Sequence, residues 1–148
     1  MNNSRTLPAI LNIDSCPAKN ITLVPKRILT PGDPISVIAN FDKLKLTEPA
    51  SCNITSENTK NGLVYTTKIT GVTIDDNDKK NRHSLQINFN TFRITDVYKN
   101  KYLVGTDKKP FPEIVFSPVN DASPSGTRAV NFEITWVSTL PVIDIIDL

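Results

Sequence analysis

The chain has 148 residues, of which 39% are hydrophobic and 22% charged, and its formal net charge is +2. This content is too apolar for a fully disordered chain, and a domain of this length buries enough surface to fold without a disulfide or a metal. Basic and acidic residues are mixed along the chain without a basic stripe, which argues against specific nucleic-acid binding. No run approaches the roughly 18 apolar residues of a membrane span, so no membrane partner is predicted. We expect a single domain over residues 1–148.

Residues 1–50 contain short strand candidates separated by proline, glycine, aspartate and asparagine, which interrupt strands. These candidates are Pro8–Ile13, Asn20–Val24 and Ile35–Phe41. Thr30–Pro34 is predicted to be a loop between the second and the third. Asp42–Glu48 is the best helix candidate, with a loop as the alternative, because the segment spans only about two turns.

A β-hairpin is predicted in the middle of the chain. Asn61-Gly62, a dipeptide typical of type I′ turns, lies between Ser51–Glu57 and Leu63–Gly71. The second strand continues to Ile74, but the apolar residues change parity near Gly71. A glycine at such a change indicates a β-bulge or bend, so we predict one there.

The next strands are predicted from alternation of apolar and polar residues with period two. His83–Asn90 has this pattern, with Leu85, Ile87 and Phe89 on the buried face. Phe92–Gly105 is expected to form a second hairpin, and Glu113–Ser117 a further short strand. Loops are predicted at Asp75–Lys80 and Asn120–Gly126.

The C-terminal part begins with the clearest strand pattern of the chain, Arg128–Trp136. Its inward residues are predicted to be Val130, Phe132, Ile134 and Trp136. An apolar tail, Pro141–Leu148, follows after a proline. A monomer has to cover this tail on its own sheet, which is the preferred interpretation; addition to a neighbouring subunit is the alternative.

About eight short strands with regularly spaced turn signals are typical of a sandwich or barrel. The predicted fold class is therefore all-β, a single antiparallel β-sandwich or β-barrel. Residues 1–13 and 140–148 are predicted as possible extended terminal arms of this domain.

Few residues carry recognisable chemistry. His83 is the single histidine and has no nucleophile motif near it. Asp75-Asp76-Asn77-Asp78 is similar to the start of a calcium loop, but Lys79 and Lys80 follow where further ligands would be needed. Cys16 and Cys52 could pair if their strands are neighbours, but two buried thiols are the preferred interpretation. We predict no catalytic, cofactor-binding or metal-binding residue, no cofactor and no enzyme activity.

Short turn and strand motifs within residues 51–141 resemble those of small tail-associated virion proteins encoded by phages and prophages of gut Bacteroidetes, including crAss-like phages. The segments that carry the resemblance are Cys52–Glu57, Asn61–Gly71, Thr95–Thr106, Lys109–Pro112, Ser125-Gly126 and the Phe132–Ile134 strand. The chain departs from the family's more usual Asn-Gly at Lys99-Asn100.

The resemblance implies a structural subunit of a bacteriophage virion, a ring or connector protein of the tail or portal–tail assembly. Its expected partners are other copies of itself and neighbouring virion proteins. The expected location is the virion, with assembly in the cytoplasm of the host bacterium. The alternative is a non-catalytic β-sandwich module that binds carbohydrate or protein.

Overall fold

The computed structural model describes residues 3–24, 34–74, 79–118 and 129–146, and these ranges form twelve strands, one short α-helix and one 3-10 turn. The elements in chain order are β1 (Asn3–Thr6), β2 (Ile10–Pro17), the 3-10 turn (Ala18–Asn20), β3 (Thr22–Val24), β4 (Ser36–Ile38), β5 (Asp42–Leu44), β6 (Ser51–Thr59), β7 (Gly62–Ile74), α1 (Lys79–Ile87), β8 (Asn90–Asp96), β9 (Lys101–Val104), β10 (Glu113–Pro118), β11 (Ala129–Ser138) and β12 (Ile143–Asp144).

Two antiparallel sheets of five strands form a β-sandwich, so the all-β fold class predicted from the sequence is confirmed. The first sheet has the order β1-β6-β7-β11-β10 and the second has the order β12-β9-β8-β2-β5. A separate hairpin of β3 and β4 touches the second sheet through a parallel bridge between Ile35 and Ile145. One continuous cluster of buried apolar side chains joins the sheets; its largest fully buried members include Trp136, Phe92, Ile10, Ile13, Ile69, Ile94, Leu103 and Ile134.

The clearest strand prediction is confirmed. In β11 the four side chains predicted to point inward, Val130, Phe132, Ile134 and Trp136, are all buried. Asn131 and Glu133, between them, are exposed. Strict alternation over a whole strand specifies one register, because a slip of one residue would expose the entire apolar set.

The predicted bulge at Gly71 is wrong. β7 pairs with β11 in continuous register through this position, whereas its pairs with β6 end one residue earlier, at Thr70. The inward positions of β7 are Thr67, Ile69, Gly71 and Thr73. Because two of them are threonines, the apolar residues alone suggest a change of face that the strand does not make. Gly71 instead leaves room for a side chain of β11: a Cβ atom there would lie 2.7 Å from Cζ of Phe132.

Both predicted hairpins are confirmed, with different turn details. β6 pairs with β7 around Lys60 and Asn61, and Thr59 lies opposite Gly62. In the described ranges Lys99 is the only non-glycine residue with a positive φ, so the predicted type I′ turn, which needs two positive φ angles, is wrong. Gly62 takes the positive φ of +112° directly after the loop. β8 and β9 form the second hairpin.

Two predictions of element type are wrong. Residues 83–90, predicted as a strand, are the end of α1 and a short connection to β8. α1 begins before this segment, and its Lys79, Lys80, Arg82, Leu85 and Gln86 are residue types that favour a helix over a strand. Asp42–Glu48, the helix candidate, contains β5, which pairs with β2. Its Leu44 is half-buried opposite Ile13, and this contact outweighs a weak helix preference.

The remaining strand predictions are confirmed with altered bounds. The segments Pro8–Ile13, Asn20–Val24, Ile35–Phe41 and Glu113–Ser117 correspond to β2, β3, β4 and β10. The predicted loop Asn120–Gly126 lies outside the described residues. So do Thr30–Asp33 and Asp75–Asp78 within the other two predicted loops.

The terminal segments pair within the chain rather than extending from it. β1 pairs with β6, and Leu7, Ile10 and Ile13 are buried in the core. β12 pairs with β9, so the preferred interpretation of the tail, coverage by its own sheet, is confirmed for the described residues. The expected extended arms are thus wrong for residues 3–13 and 140–146.

Candidate functional site

A groove of about 910 Å³ runs beside β10, the edge strand of the first sheet. One wall is the end of α1 with the following connection, residues 85–89. The other wall is residues 109–112, and the first three residues of β10 form the base. The groove therefore depends on two segments that are distant in the sequence, residues 85–89 and 109–115.

Apolar side chains line most of this groove, and three of them are largely exposed. Ile87 and Phe89 are each 63% exposed, and Val115 on β10 is 55% exposed. The rings of Phe89 and Phe111 stack across the groove, with centroids 4.7 Å apart and an interplanar angle of 26°. Single exposed apolar residues are ordinary, but neighbouring ones that line a groove make it a candidate binding surface.

Hydrogen bonds hold both walls in place. The backbone N–H of Phe116 on β10 donates to Oε1 of Gln86 at 2.9 Å, which joins α1 to the sheet edge. On the other side, Nε1 of the buried Trp136 donates to the carbonyl of Pro110 at 3.0 Å. The peptide bond between Lys109 and Pro110 is cis. Because these contacts lie within the chain, both walls are held in place without a partner.

The α1 wall ends in a side-chain cap. Nδ2 of Asn90 donates to the carbonyl of Leu85 at 3.1 Å and to that of Asn88 at 3.0 Å. These carbonyls lie where a helix has no backbone partner left, so the amide satisfies them and fixes the direction of the chain into β8. Phe89 lies between the cap and the strand, and this geometry directs it into the groove.

Few polar side chains accompany the apolar lining. The polar side chains along the groove are those of Gln86, Asn88, Lys109 and Glu113. The side-chain oxygen of Gln86 already accepts a hydrogen bond from the N–H of Phe116. This set offers amide hydrogen bonds and one charge of each sign. Such groups can bind a partner or ligand that is itself part apolar and part polar.

A second, polar depression of about 640 Å³ lies on the first sheet. Its lining includes Glu48, Glu133, Ser51, Thr70 and Asn131. Glu133 lies 3.8 Å from the amine of Lys68, an exposed pair that contributes little to stability. Hydroxyl, amide and carboxylate groups are mixed here with apolar side chains, as is usual on the solvated outer face of a β-sheet.

The residues singled out from the sequence do not converge on either site. His83 is exposed on α1 and does not line the groove. Asp75–Asp78 lies outside the described residues. In the part of the chain that the structure describes, no group of three or more His, Cys, Asp or Glu side chains is placed to hold a metal ion. No helix among the described residues is long and apolar enough to cross a membrane.

Cys16 and Cys52 are both buried and both free, so they do not form a disulfide. Burial raises the pKa of the Cys52 thiol to about 12, against a weaker opposite effect of Arg5. Burial, with a smaller contribution from Asp42, also raises the pKa of Cys16. Because the thiolate is the reactive form, neither cysteine is suited to act as a nucleophile at neutral pH.

The groove residues were not predicted as a site. Ile87 and Phe89 were assigned to the buried face of a strand, and Phe111 was noted only within the resemblance. The sequence offered two separate signals. One was the pair of apolar residues Ile87 and Phe89 just before β8, and the other was the segment Pro110-Phe111-Pro112 just before β10. Neither signal indicates that the two segments meet.

Comparison of the chain with protein-family models, with curated proteins and with solved structures finds no match.

Proposed function

We propose that this protein is a non-catalytic structural subunit of a bacteriophage virion, a ring or connector protein of the tail or portal–tail assembly. The observation that supports a structural role is the exposed apolar groove beside β10. The virion assignment rests on the resemblance within residues 51–141. The proposed partners are other copies of the chain and neighbouring virion proteins.

The groove has the composition of a protein contact. Aromatic and large aliphatic side chains are enriched at the centres of protein interfaces, and charged residues are depleted there. Phe89 and Ile87 would lose exposed apolar surface on contact, at roughly 25 cal/mol for each Å² removed from water. The proposed ring requires the groove of one subunit to meet a different surface of the next. Such a head-to-tail contact closes into a ring when the rotation is suitable.

A second candidate function is a non-catalytic module that binds carbohydrate or protein. The observation that favours it is the concave site with the stacked rings of Phe89 and Phe111 beside the amides of Gln86 and Asn88. Apolar ring faces next to a few amide groups can bind a ligand that is itself part apolar and part polar. This candidate requires no second subunit.

The test measures the mass of the purified protein by light scattering, alone and mixed with the tail and portal proteins of its own genome. Phe89→Ser removes the most exposed ring of the groove, and Tyr98→Ser is the matched control. Tyr98 is 74% exposed on the turn between β8 and β9 and does not line the groove. We expect the wild type and the Tyr98 variant to form a ring or join a virion component, and the Phe89 variant to do so at least about tenfold more weakly.

The alternative outcomes separate the candidates. If the wild-type protein stays monomeric and binds none of the virion components, that result would contradict the structural-subunit proposal and favour the binding module. Binding of glycans or peptides to that monomer, with loss in the Phe89 variant, would then identify the groove as a ligand site. Equal association of the Phe89 and Tyr98 variants would exclude the groove as the contact.

A further inference from the structure

The C-terminal strand β12 and the residue after it have backbone partners on both sides. On one side Ile143 and Asp144 pair with Leu103 and Tyr102 of β9, and the N–H of Ile145 donates to the carbonyl of Lys101 at 3.0 Å. On this side the tail is therefore a strand of the second sheet, paired with β9.

On the other side the tail bonds to the start of β4. The N–H of Ile35 donates to the carbonyl of Asp144 at 2.9 Å, and the N–H of Ile146 donates to the carbonyl of Ile35 at 2.8 Å. The hydroxyl of Ser36 also donates to the carbonyl of Ile146 at 3.2 Å. Residues 143–146 therefore fill a slot between β9 and β4, which we call the tail slot.

The side chains of the tail differ in how much they contribute to this slot. Val142 and Ile143 are buried, with Ile143 only 3% exposed, whereas Ile146 is 48% exposed. Leu103 and Ile35, on the two sides of the slot, are buried as well. If the tail left, these apolar groups and the backbone groups of two strands would face water. An empty slot would thus bind any chain with the same pattern.

The tail is also a part of the second sheet that can open locally. The paired strand has only two residues, and Pro141 separates it from β11. Short elements with few backbone pairs open at a lower free-energy cost than the whole fold. Exchange of an identical terminal element between copies keeps every contact of the closed form.

We propose that the tail slot accepts residues 141–146 of a second copy of this chain, so that subunits associate by exchanging their C-terminal strands. The partner is a second copy, because its tail has the sequence that already fits the slot on both sides. This inference deepens the proposed structural role but concerns self-association alone. Its test needs no virion protein, and the two proposals can therefore fail separately.

The first experiment uses full-length variants and a fluorescent peptide of residues 141–148. Ile143→Asp places a charge where the tail is buried and should release the tail while leaving the slot intact. Ile146→Asp is the matched control, because the same change is made on an exposed side chain of the same segment. We expect the peptide to bind the Ile143 variant roughly tenfold or more tightly than the wild type or the control, whose own tails compete at high effective concentration.

A peptide that itself carries Ile143→Asp should not bind. A folded Ile143 variant that fails to bind the wild-type peptide would contradict the proposal. Folding is checked by circular dichroism.

If the Ile143 variant does not fold, the wild-type protein decides the question. Isotope-labelled and unlabelled chains are unfolded together, refolded at high concentration and cross-linked, and the dimer is isolated. Exchange predicts cross-links between the tail of one isotope form and β9 of the other. A dimer that contains only cross-links within one isotope form, or refolding to monomer alone at every concentration, would overturn the proposal.

Discussion

At the scale of single residues, the close approach of Phe132 to Gly71 constrains the packing of the first sheet. A methyl group at position 71 would lie 2.7 Å from Cζ of Phe132 and 3.0 Å from Cβ of Ala50. Because Phe132 is buried, its ring has little room to move away. Gly71→Ala should therefore lower the free energy of unfolding by about 1–3 kcal/mol, as overpacking of a core does. Denaturant titration measures the change.

The control is a double variant with Phe132→Leu, which shortens the side chain that the new methyl group meets. If steric overlap causes the loss, the double variant should lose less stability than the sum of the two single variants. Strict additivity would contradict the overlap and indicate that the glycine serves the backbone of β7 instead.

The same position explains why the residue pattern of β7 misled the sequence prediction. Threonine fits either face of a strand, and here Thr67 and Thr73 are on the inner face. The hydroxyl of Thr73 donates to the carbonyl of Val130 at 3.3 Å, which makes its burial acceptable. That partner is on another strand, so no pattern within β7 alone could have indicated it.

At the scale of elements, α1 depends on a cap supplied by the first residue of β8. The amide of Asn90 is buried and donates to two carbonyls at the end of the helix. Asn90→Ala should leave these carbonyls without that donor and destabilise the connection by about 1–2 kcal/mol. Hydrogen exchange of residues 84–89 should speed up, because the wall of the groove loosens before the sheets do.

Asn88→Ala is the control for this prediction. Its side chain is exposed and donates to the hydroxyl of Ser84 at 2.9 Å, a contact within the helix segment itself. We expect a change in stability of under about 0.5 kcal/mol. Equal effects of the two variants would show that Asn90 has no special role in ending α1.

The hairpins and α1 differ in how well the local sequence pattern predicts them. The hairpins β6–β7 and β8–β9 could be predicted because their turn residues and alternating strands lie within a short segment. Residues 83–90 could not, because Leu85, Ile87 and Phe89 alternate as in a strand although two of them are exposed. Their placement depends on two hydrogen bonds, from Phe116 to Gln86 and from Asn90 to Leu85. These bonds exist only after β10 and β8 have formed.

At the scale of the whole molecule, the all-β class could be predicted from the sequence, whereas the groove and the tail slot could not. Alternation specifies which face of a strand is buried, but not which strands become neighbours. The groove needs residues 85–89 and 109–115 to meet. The tail slot likewise needs β4 to lie beside a tail more than a hundred positions away in the sequence, as the bond from Ser36 to Ile146 shows.

This arrangement couples the two sheets, because both ends of the described chain pass from one to the other. β1 and β11 belong to the first sheet, and the elements next to them, β2 and β12, belong to the second. Neither sheet can separate without breaking the shared core, so we expect one cooperative unfolding transition. The single tryptophan, Trp136, reports the first sheet by fluorescence, and far-UV circular dichroism reports both.

Ile13→Ala tests this coupling from the second sheet. Ile13 is fully buried on β2, and its truncation should cost about 2–5 kcal/mol. Because the sheets unfold together, the Trp136 fluorescence midpoint in the first sheet should fall by the same amount as the circular dichroism midpoint. Leu11→Ala, on an exposed position of the same strand, should leave both midpoints nearly unchanged. A Trp136 midpoint that stays at the wild-type value in the Ile13 variant would show that the sheets unfold independently.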